Sequence, residues 1–340
     1  MTRLYLATGD ALVLVTQTPR GWTGEVQLPG LPTQCVAVDP LRPGHVVCGT
    51  FGRGVWISTD AGSSWRPAGD EAVPPHVTAV AVGWSGRGDP WGVLWAGTEP
   101  SALLRSEDGG RTWKRCRALE DLPSARTWSF PPRPWTHHVR WIAPDPAHAG
   151  RLFVAIELGG VMRSRDGGET WEDHKPGALR DAHTLAVHPD APGRVYEAAG
   201  GGYAESRTGG DTWEIFTEGL RHRYLWGLAV DPGDPDTVVV SAAAGPGDAH
   251  DPQRACSTLY RRQGGPFQEV RQGLPRSEGT RVMTLVSHRA EPGVVYAASQ
   301  EGSLFRSADG GAHWERLPLS GLGSYRWREV RGAATGPWEA

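Results

Sequence analysis

Ser164-Arg165-Asp166-Gly167-Gly168-Glu169-Thr170-Trp171 is one copy of a stretch that returns along the whole chain. The pattern Ser-x-Asp-x-Gly-x-Ser/Thr-Trp recurs from Ser58 to Trp65 and from Ser106 to Trp113, and again from Ser307 to Trp314 with His313 in the hydroxyl position. Ser206 to Trp213 has Thr208 in place of the aspartate, Arg261 to Phe267 keeps the glycine pair and an aromatic, and Trp22 ends a worn seventh copy. These residue types suit a tight turn between antiparallel strands. The aspartate accepts hydrogen bonds from turn amides, glycine supplies positive φ, and the tryptophan packs across the hairpin. Such a unit specifies a fold and carries no chemistry by itself.

The terminal aromatics, Trp22, Trp65, Trp113, Trp171, Trp213, Phe267 and Trp314, are separated by 43, 48, 58, 42, 54 and 47 residues. That period is the length of a four-stranded propeller blade. Seven of them predict an all-β, seven-bladed β-propeller formed by residues 1–340 as a single domain. Cys35-Val-Ala-Val-Asp-Pro, Leu185-Ala-Val-His-Pro and Leu228-Ala-Val-Asp-Pro read as innermost strands, whose small and β-branched residues suit burial between adjoining blades. Arg3 to Gly9 matches a second strand, so the N-terminal segment lacks an inner strand of its own. The expected supplier is the C-terminus, around Ser324 to Val330, which closes the ring with both termini in one blade and removes free sheet edges.

The repeated stretch resembles the Asp-box (BNR) repeat of propellers such as sialidases, sortilin-type receptors, xyloglucan hydrolases and the photosystem II assembly factor. The resemblance covers the whole chain in architecture and implies a glycosyl-hydrolase-like lineage. It does not transfer a function residue by residue. The Arg-Ile-Pro sequence of sialidases is absent, so sialidase activity is not expected. Xyloglucan hydrolases pair two propellers across a cleft and this sequence encodes one. The assembly factor is exported, whereas Met1 to Val15 alternates and is interrupted by Gly9-Asp10, unlike a signal peptide.

Net charge is −3 among 340 residues, which offers no basic face and argues against a nucleic-acid partner. No stretch is apolar for long enough to span a membrane. Four cysteines, Cys35, Cys48, Cys116 and Cys256, show no CxxC spacing and point to reduced thiols in the cytoplasm.

Function has to be sought where the inner strands enter the ring. Aligned on their shared ending, these strands send residues five and seven positions before its Asp toward the channel. These are Gln34; Thr78 and His76; Arg140 and His138; His183 and Asp181; Trp226 and Tyr224; Met283 and Arg281; and Arg326 from the closing strand. The hairpins between second and third strands add Glu99 and Glu157, with Glu301 one residue out of register. Two long insertions, Arg117 to Trp135 with Trp128, and Ala242 to Ala255, point to the same face.

Three readings of this mouth stay open. It is a hydrogen-bonded plug. Alternatively it binds a small polar or anionic ligand, with Arg140, Arg281 and Arg326 holding the acid, Tyr224, Trp226 and Trp128 stacking, His76, His138 and Glu99 contributing polar contacts, and Glu157, Asp181 or His183 moving protons in a hydrolase or lyase. The third is a divalent metal held by two or three of His76, His138 and His183 with a carboxylate. The alternative to all small-ligand readings is a non-catalytic scaffold that binds a protein through exposed rim residues such as Phe51, Arg53 and Trp128. His188 and His288 stand at the Asp position before a turn and are expected to serve the turn.

Overall fold

A computed structural model of the chain describes residues 1–69, 71–84 and 92–337. Seven antiparallel sheets stand around a central channel, and their first strands touch one another in a closed circuit. Counting blades from the first complete sheet, the inner strands are Thr33–Val38, Val77–Gly83, Val139–Pro144, Ala182–Val187, Tyr224–Asp231, Thr284–Ser287 and, in blade 7, Gly332–Pro337. Blade 7 continues with Thr2–Ala7, Leu12–Thr18 and Gly21–Gln27, and Leu319–Ser320 adds a short parallel strand to its outer edge.

The ring therefore closes with both termini in one blade, but through a different segment from the expected one. Gly332–Pro337 pairs with Thr2–Ala7, while Ser324 to Val330 lies across the rim. There Trp327 is buried and donates through Nε1 to the Ser299 carbonyl at 2.9 Å. The reason is steric. At the axis the blades crowd, and a Cβ added to Gly332 would sit 3.0 Å from the Cys35 Cα. The closing strand must be small, Gly-Ala-Ala-Thr-Gly-Pro, and so lacks the aromatic and β-branched residues that mark an ordinary strand.

Hydroxyls fasten neighbouring blades at the axis. Thr78 donates to the Val139 carbonyl at 2.7 Å, Thr184 to Trp226 at 2.7 Å, Thr284 to Val330 at 2.8 Å and Thr335 to Ser287 at 2.9 Å. Between blades, apolar side chains fill the wedges. One cluster joins Trp95, Leu103 and Met162 of blades 2 and 3 to the insertion residues Leu119, Leu122 and Trp128.

The repeated turn behaves as its residue types require. In blade 3, Asp166 accepts from the Thr170 amide at 2.9 Å, the Gly168 amide donates to Ser164 Oγ at 2.8 Å, and Trp171 Nε1 donates to the Gly168 carbonyl at 3.2 Å. Gly167 and Gly168 have φ of 74° and 88°. Thr208 replaces the missing aspartate with its hydroxyl, which accepts from the Thr212 amide at 2.9 Å. His188 is a turn residue as expected, its Nδ1 accepting from the Asp190 amide at 3.2 Å.

Candidate functional site

One irregularity repeats in the inner strands and builds the site. In blades 1 to 5 the register between first and second strands slips at the same height, between Thr33 and Cys35, Val77 and Ala79, Val139 and Trp141, Ala182 and Thr184, and Leu225 and Leu228. The residue left over at each slip is Gln34, Thr78, Arg140, His183 and, with Gly227, Trp226. A bulge leaves its extra residue unpaired and re-aims the side chain. Five successive bulges thus turn a ring of packing positions into a ring of functional groups. Above them lies a cavity of about 650 Å³, a size suited to a small organic ligand.

Arg140 is the central cation. Its guanidinium lies 4.4 Å over the Trp226 ring, its Nε is 3.8 Å from Glu157 Oε2, and that Nε is buried without a hydrogen-bond partner. Burial works against its charge, and the nearby Glu157 only partly compensates. Glu157 is itself nearly buried. Although burial would raise its pKa, the hydrogen bond from His138 and the charges of His138, His183 and Arg140 prevail and hold it at about 2. The carboxylate is ionised at neutral pH and is mismatched to proton transfer there.

Two histidines flank Glu157 in different roles. His138 Nε2 is 3.1 Å from Glu157 Oε2, its Nδ1 is 3.9 Å from Glu99, and Phe130 packs edge-on against the ring at 4.7 Å. His183 is fully buried. Its Nδ1 is 2.6 Å from the Leu225 carbonyl, which can only accept, so Nδ1 carries the proton. The other nitrogen, Nε2, faces Asp181 Oδ1 at 3.5 Å with no hydrogen bond. The aromatic wall is formed by Trp226, Tyr224 and His250, whose ring meets Trp226 at 4.4 Å and whose Nε2 is 3.2 Å from the Tyr224 hydroxyl. Burial lowers the His250 pKa to about 4, helped by the charges of His183 and Arg140, so that ring is neutral at pH 7.

The mouth thus brings together Glu99, His138, Arg140, Glu157, Asp181, Tyr224, Trp226 and Arg281 from the sequence-predicted set, while His183 is fully buried beside Asp181 and does not line the cavity. Four expected residues lie elsewhere, among them Met283, which is buried in the apolar cluster with Leu259, Leu285 and Phe305. His76 is exposed on the rim and stacks on Phe51 at 4.2 Å. There it joins Phe51 in an isolated antiparallel bridge at the rim. Trp128 is buried in the core between blades 2 and 3, with Nε1 donating to Ser124 Oγ at 3.0 Å, because the insertion folds as two 3-10 turns that seat it inward. Arg326 is exposed and donates to the carbonyls of Gly323 and Tyr325, as the displaced closing strand requires. Arg331, directly before the true closing strand, lines the mouth instead. Arg281 lines it too, but with its guanidinium on Glu301 at 3.1 Å and on the Gln300 and Arg328 carbonyls.

Sequence reasoning missed Phe130, Arg133 and His250. Arg133 donates through Nε to Glu99 at 2.7 Å and lies over Phe130 at 4.8 Å, forming one wall of the cavity. His250 ends the short helix Pro246–His250 of the second insertion. The length of both insertions pointed to the face, and nothing in their composition told which side chains turn inward.

Searches against known proteins find no matching family model. The chain is 34% identical over 80 residues to the oligoxyloglucan-reducing end-specific xyloglucanase of Emericella nidulans, a match covering 23% of this chain and 9% of that protein. It is 28% identical over 192 residues to a probable enzyme of the same name from Neosartorya fischeri, covering 54% and 21% respectively. The matches thus span about a fifth or less of those proteins' length. Among solved structures, a GH74 enzyme from Niastella koreensis superposes with a TM-score of 0.67 at 16% identity, over 92% of this chain and 52% of that one. An ancestral GH74 enzyme gives 0.64 at 19% over 83% and 38%, and YCF48 bound to D1 peptide gives 0.57 at 18% over 84% and 80%. At these identities the structural likeness shows the fold: the chain is built like the seven-bladed propellers of GH74 enzymes and of YCF48.

Proposed function

We propose that this chain is an Asp-box propeller, a single domain over residues 1–340 acting in the cytoplasm, whose channel mouth binds a small polar or anionic ligand. The observation that carries the reading is Arg140: a half-buried guanidinium lining an open cavity, stacked on Trp226, with a buried Nε that has no hydrogen-bond partner. A plug would satisfy that group from within, because an unpaired buried charge is costly. A carboxylate or phosphate entering from solvent satisfies it with charge-assisted hydrogen bonds. Trp226, Tyr224 and Phe130 supply faces for a ring, and the glycosidase relatives make a sugar acid the first ligand class to test. Hydrolysis or elimination is the chemistry such a mouth suits, with Asp181 and His183 as the proton-handling groups and Glu157 as a fixed anion. The unpaired cysteines and the small net charge accord with the cytoplasmic location and with a partner that is not a nucleic acid.

The test is a thermal-shift and calorimetric screen of uronic acids, their neutral sugars and sugar phosphates. An acid should raise the melting temperature of the wild type, and Arg140→Ala should weaken its binding by roughly 10-fold or more, the loss expected for one charged hydrogen-bonding group. Equal affinity of the Arg140→Ala protein for that acid would reject the reading. A second reading, a non-catalytic scaffold binding protein through the rim, is supported by the likeness to YCF48 over four-fifths of that chain and by Trp135, which is 80% exposed on the long insertion. It expects rim substitutions at Phe51, Arg53 and Trp135 to abolish partner capture while Arg140→Ala leaves it intact.

A further inference from the structure

We propose that Glu157, Asp181 and His183 form a binding site for one divalent transition cation of the Zn2+ or Mn2+ class at the channel mouth. One donor atom from each of the three lies within 4.8 Å of the others. Ligands around a cation at ordinary bond lengths of about 2.0–2.2 Å stand roughly 3 to 4 Å apart, so a contraction of well under an ångström per group assembles the set. The donors are one imidazole and two carboxylates, which suits zinc or manganese better than the all-oxygen preference of calcium or magnesium.

Three independent features of the surroundings prepare these donors. The first is His183. Its Nδ1 proton is spent on the Leu225 carbonyl, which leaves Nε2, without a hydrogen-bond partner in a fully buried ring, as the nitrogen directed at the Asp181 carboxylate and open to a cation. A metal-ligating histidine is held this way, with its second nitrogen fixed by a backbone carbonyl. The second is His138, whose Nε2 contacts Glu157 Oε2 at 3.1 Å and orients that carboxylate from the far side. The third is Gly200, at the turn between Val195–Ala199 and Gly202–Ser206. A Cβ there would come 1.8 Å from Asp181 Oδ2, so the absence of a side chain is what lets Asp181 take its place. Arg140, beside Glu157, leaves the site one net negative charge short of its carboxylate count and stands where a ligand's acid group would reach both it and the cation. A cation there would hold Asp181 and His183 as ligands and supply Lewis-acid polarisation to the organic ligand in place of proton handling by those two groups. The cation site rests on the mouth being the ligand site, but it can be tested alone.

The experiment uses the full chain, stripped with chelator and titrated by calorimetry with Zn2+ and with Mn2+ in the absence of any organic ligand. The expected result is one saturable site per chain, weakened roughly 100-fold or more in Asp181→Asn and by about 10-fold in Gly200→Ala, with His76→Ala unchanged. Asp181 is partly exposed, so its asparagine variant keeps the buried framework, and a melting curve confirms folding. No saturable binding, or equal binding by wild type and a folded Asp181→Asn, would overturn the cation site. An acid ligand that binds the stripped wild type through Arg140 would then leave the ligand reading standing by itself, and cation binding with no organic ligand found would do the reverse.

Discussion

At the scale of single residues, the molecule separates charged groups that are held ready from one that is held neutral. Glu157 is ionised in a nearly buried place because the hydrogen bond from His138 and the Arg140 guanidinium beside it help to outweigh burial. Glu197, in the second strand of blade 4, has no such company. It is fully buried, accepts one hydrogen bond from the Leu179 amide at 2.9 Å, and its other oxygen has no partner. Burial raises its pKa from 4.5 to about 8, with the Leu179 amide opposing weakly. The unfolded chain therefore loses this proton near its ordinary value while the folded chain keeps it, and folding takes up a proton between the two. Stability falls as pH rises through that window, by about 1 kcal/mol per pH unit, and the contribution is fully retained only below it. Glu197→Gln keeps the acceptor for Leu179 and removes the titration. Urea denaturation at about pH 5 and about pH 7.5 should show a loss in the wild type that is smaller in the glutamine variant. Parallel slopes would mean that Glu197 ionises in the folded state.

At the scale of elements, the turn between third and fourth strands is legible in the sequence because its logic is local. Every donor and acceptor it needs lies within eight residues, so the pattern from Ser164 to Trp171 contains its own explanation. The same locality makes it testable. Asp166→Ala leaves the Thr170 amide without its carboxylate and should cost about 1–3 kcal/mol, the range for a hydrogen bond to a charged group. Thr208→Asp, which restores the degraded copy, should be neutral or stabilising, since the Thr212 amide and hydroxyl already point at that position. A destabilised Thr208→Asp protein would show that the blade 4 turn has adapted to its threonine. The bulges are the opposite case. Of the residues five before the shared Asp in blades 1 to 5, Gln34, Thr78, Arg140 and Trp226 line the cavity and His183 is fully buried, but the extra residue that turns them arises from register with the second strand, which alternation along the first does not reveal. Alternation places His76 with Thr78 just as it places His138 with Arg140, and both strands carry the same slip, yet His76 is held at the rim by its bridge and stack with Phe51. The insertions fail for a related reason. Trp128 and Phe130 are two aromatics in one loop, and only packing against Leu119 and Leu122 on one side and Arg133 on the other decides which is core and which is wall.

At the scale of the whole molecule, the ring behaves as one closed surface whose last joint is its smallest strand. Blade count and closure by both termini follow from the repeat and from the missing inner strand at Arg3 to Gly9. The location of the joint does not, because the axis selects for lack of bulk and small residues carry no pattern. Gly332–Pro337 nonetheless covers the whole of Thr2–Ala7 in register, from Thr2 opposite Pro337 to Ala7 opposite Gly332, and Thr335 reaches across to the Ser287 carbonyl of blade 6. Removing it opens the edge of a buried strand and exposes Leu4 and Leu6, which are fully buried. Truncation after Arg331 should therefore remove stability on the order of the whole 5–15 kcal/mol that holds a domain together, and leave a protein that melts without a sharp transition or is insoluble. A milder probe guards against mere insolubility. Gly332→Val keeps the chain length and brings a branched side chain against the Cys35 backbone, so it should lower the melting temperature while Gly265→Val, which meets nothing within 4 Å and needs no positive φ, lowers it less. If both valines behave alike, or if the truncated chain melts like the intact one, the joint lies elsewhere and the small strand only decorates a ring already closed.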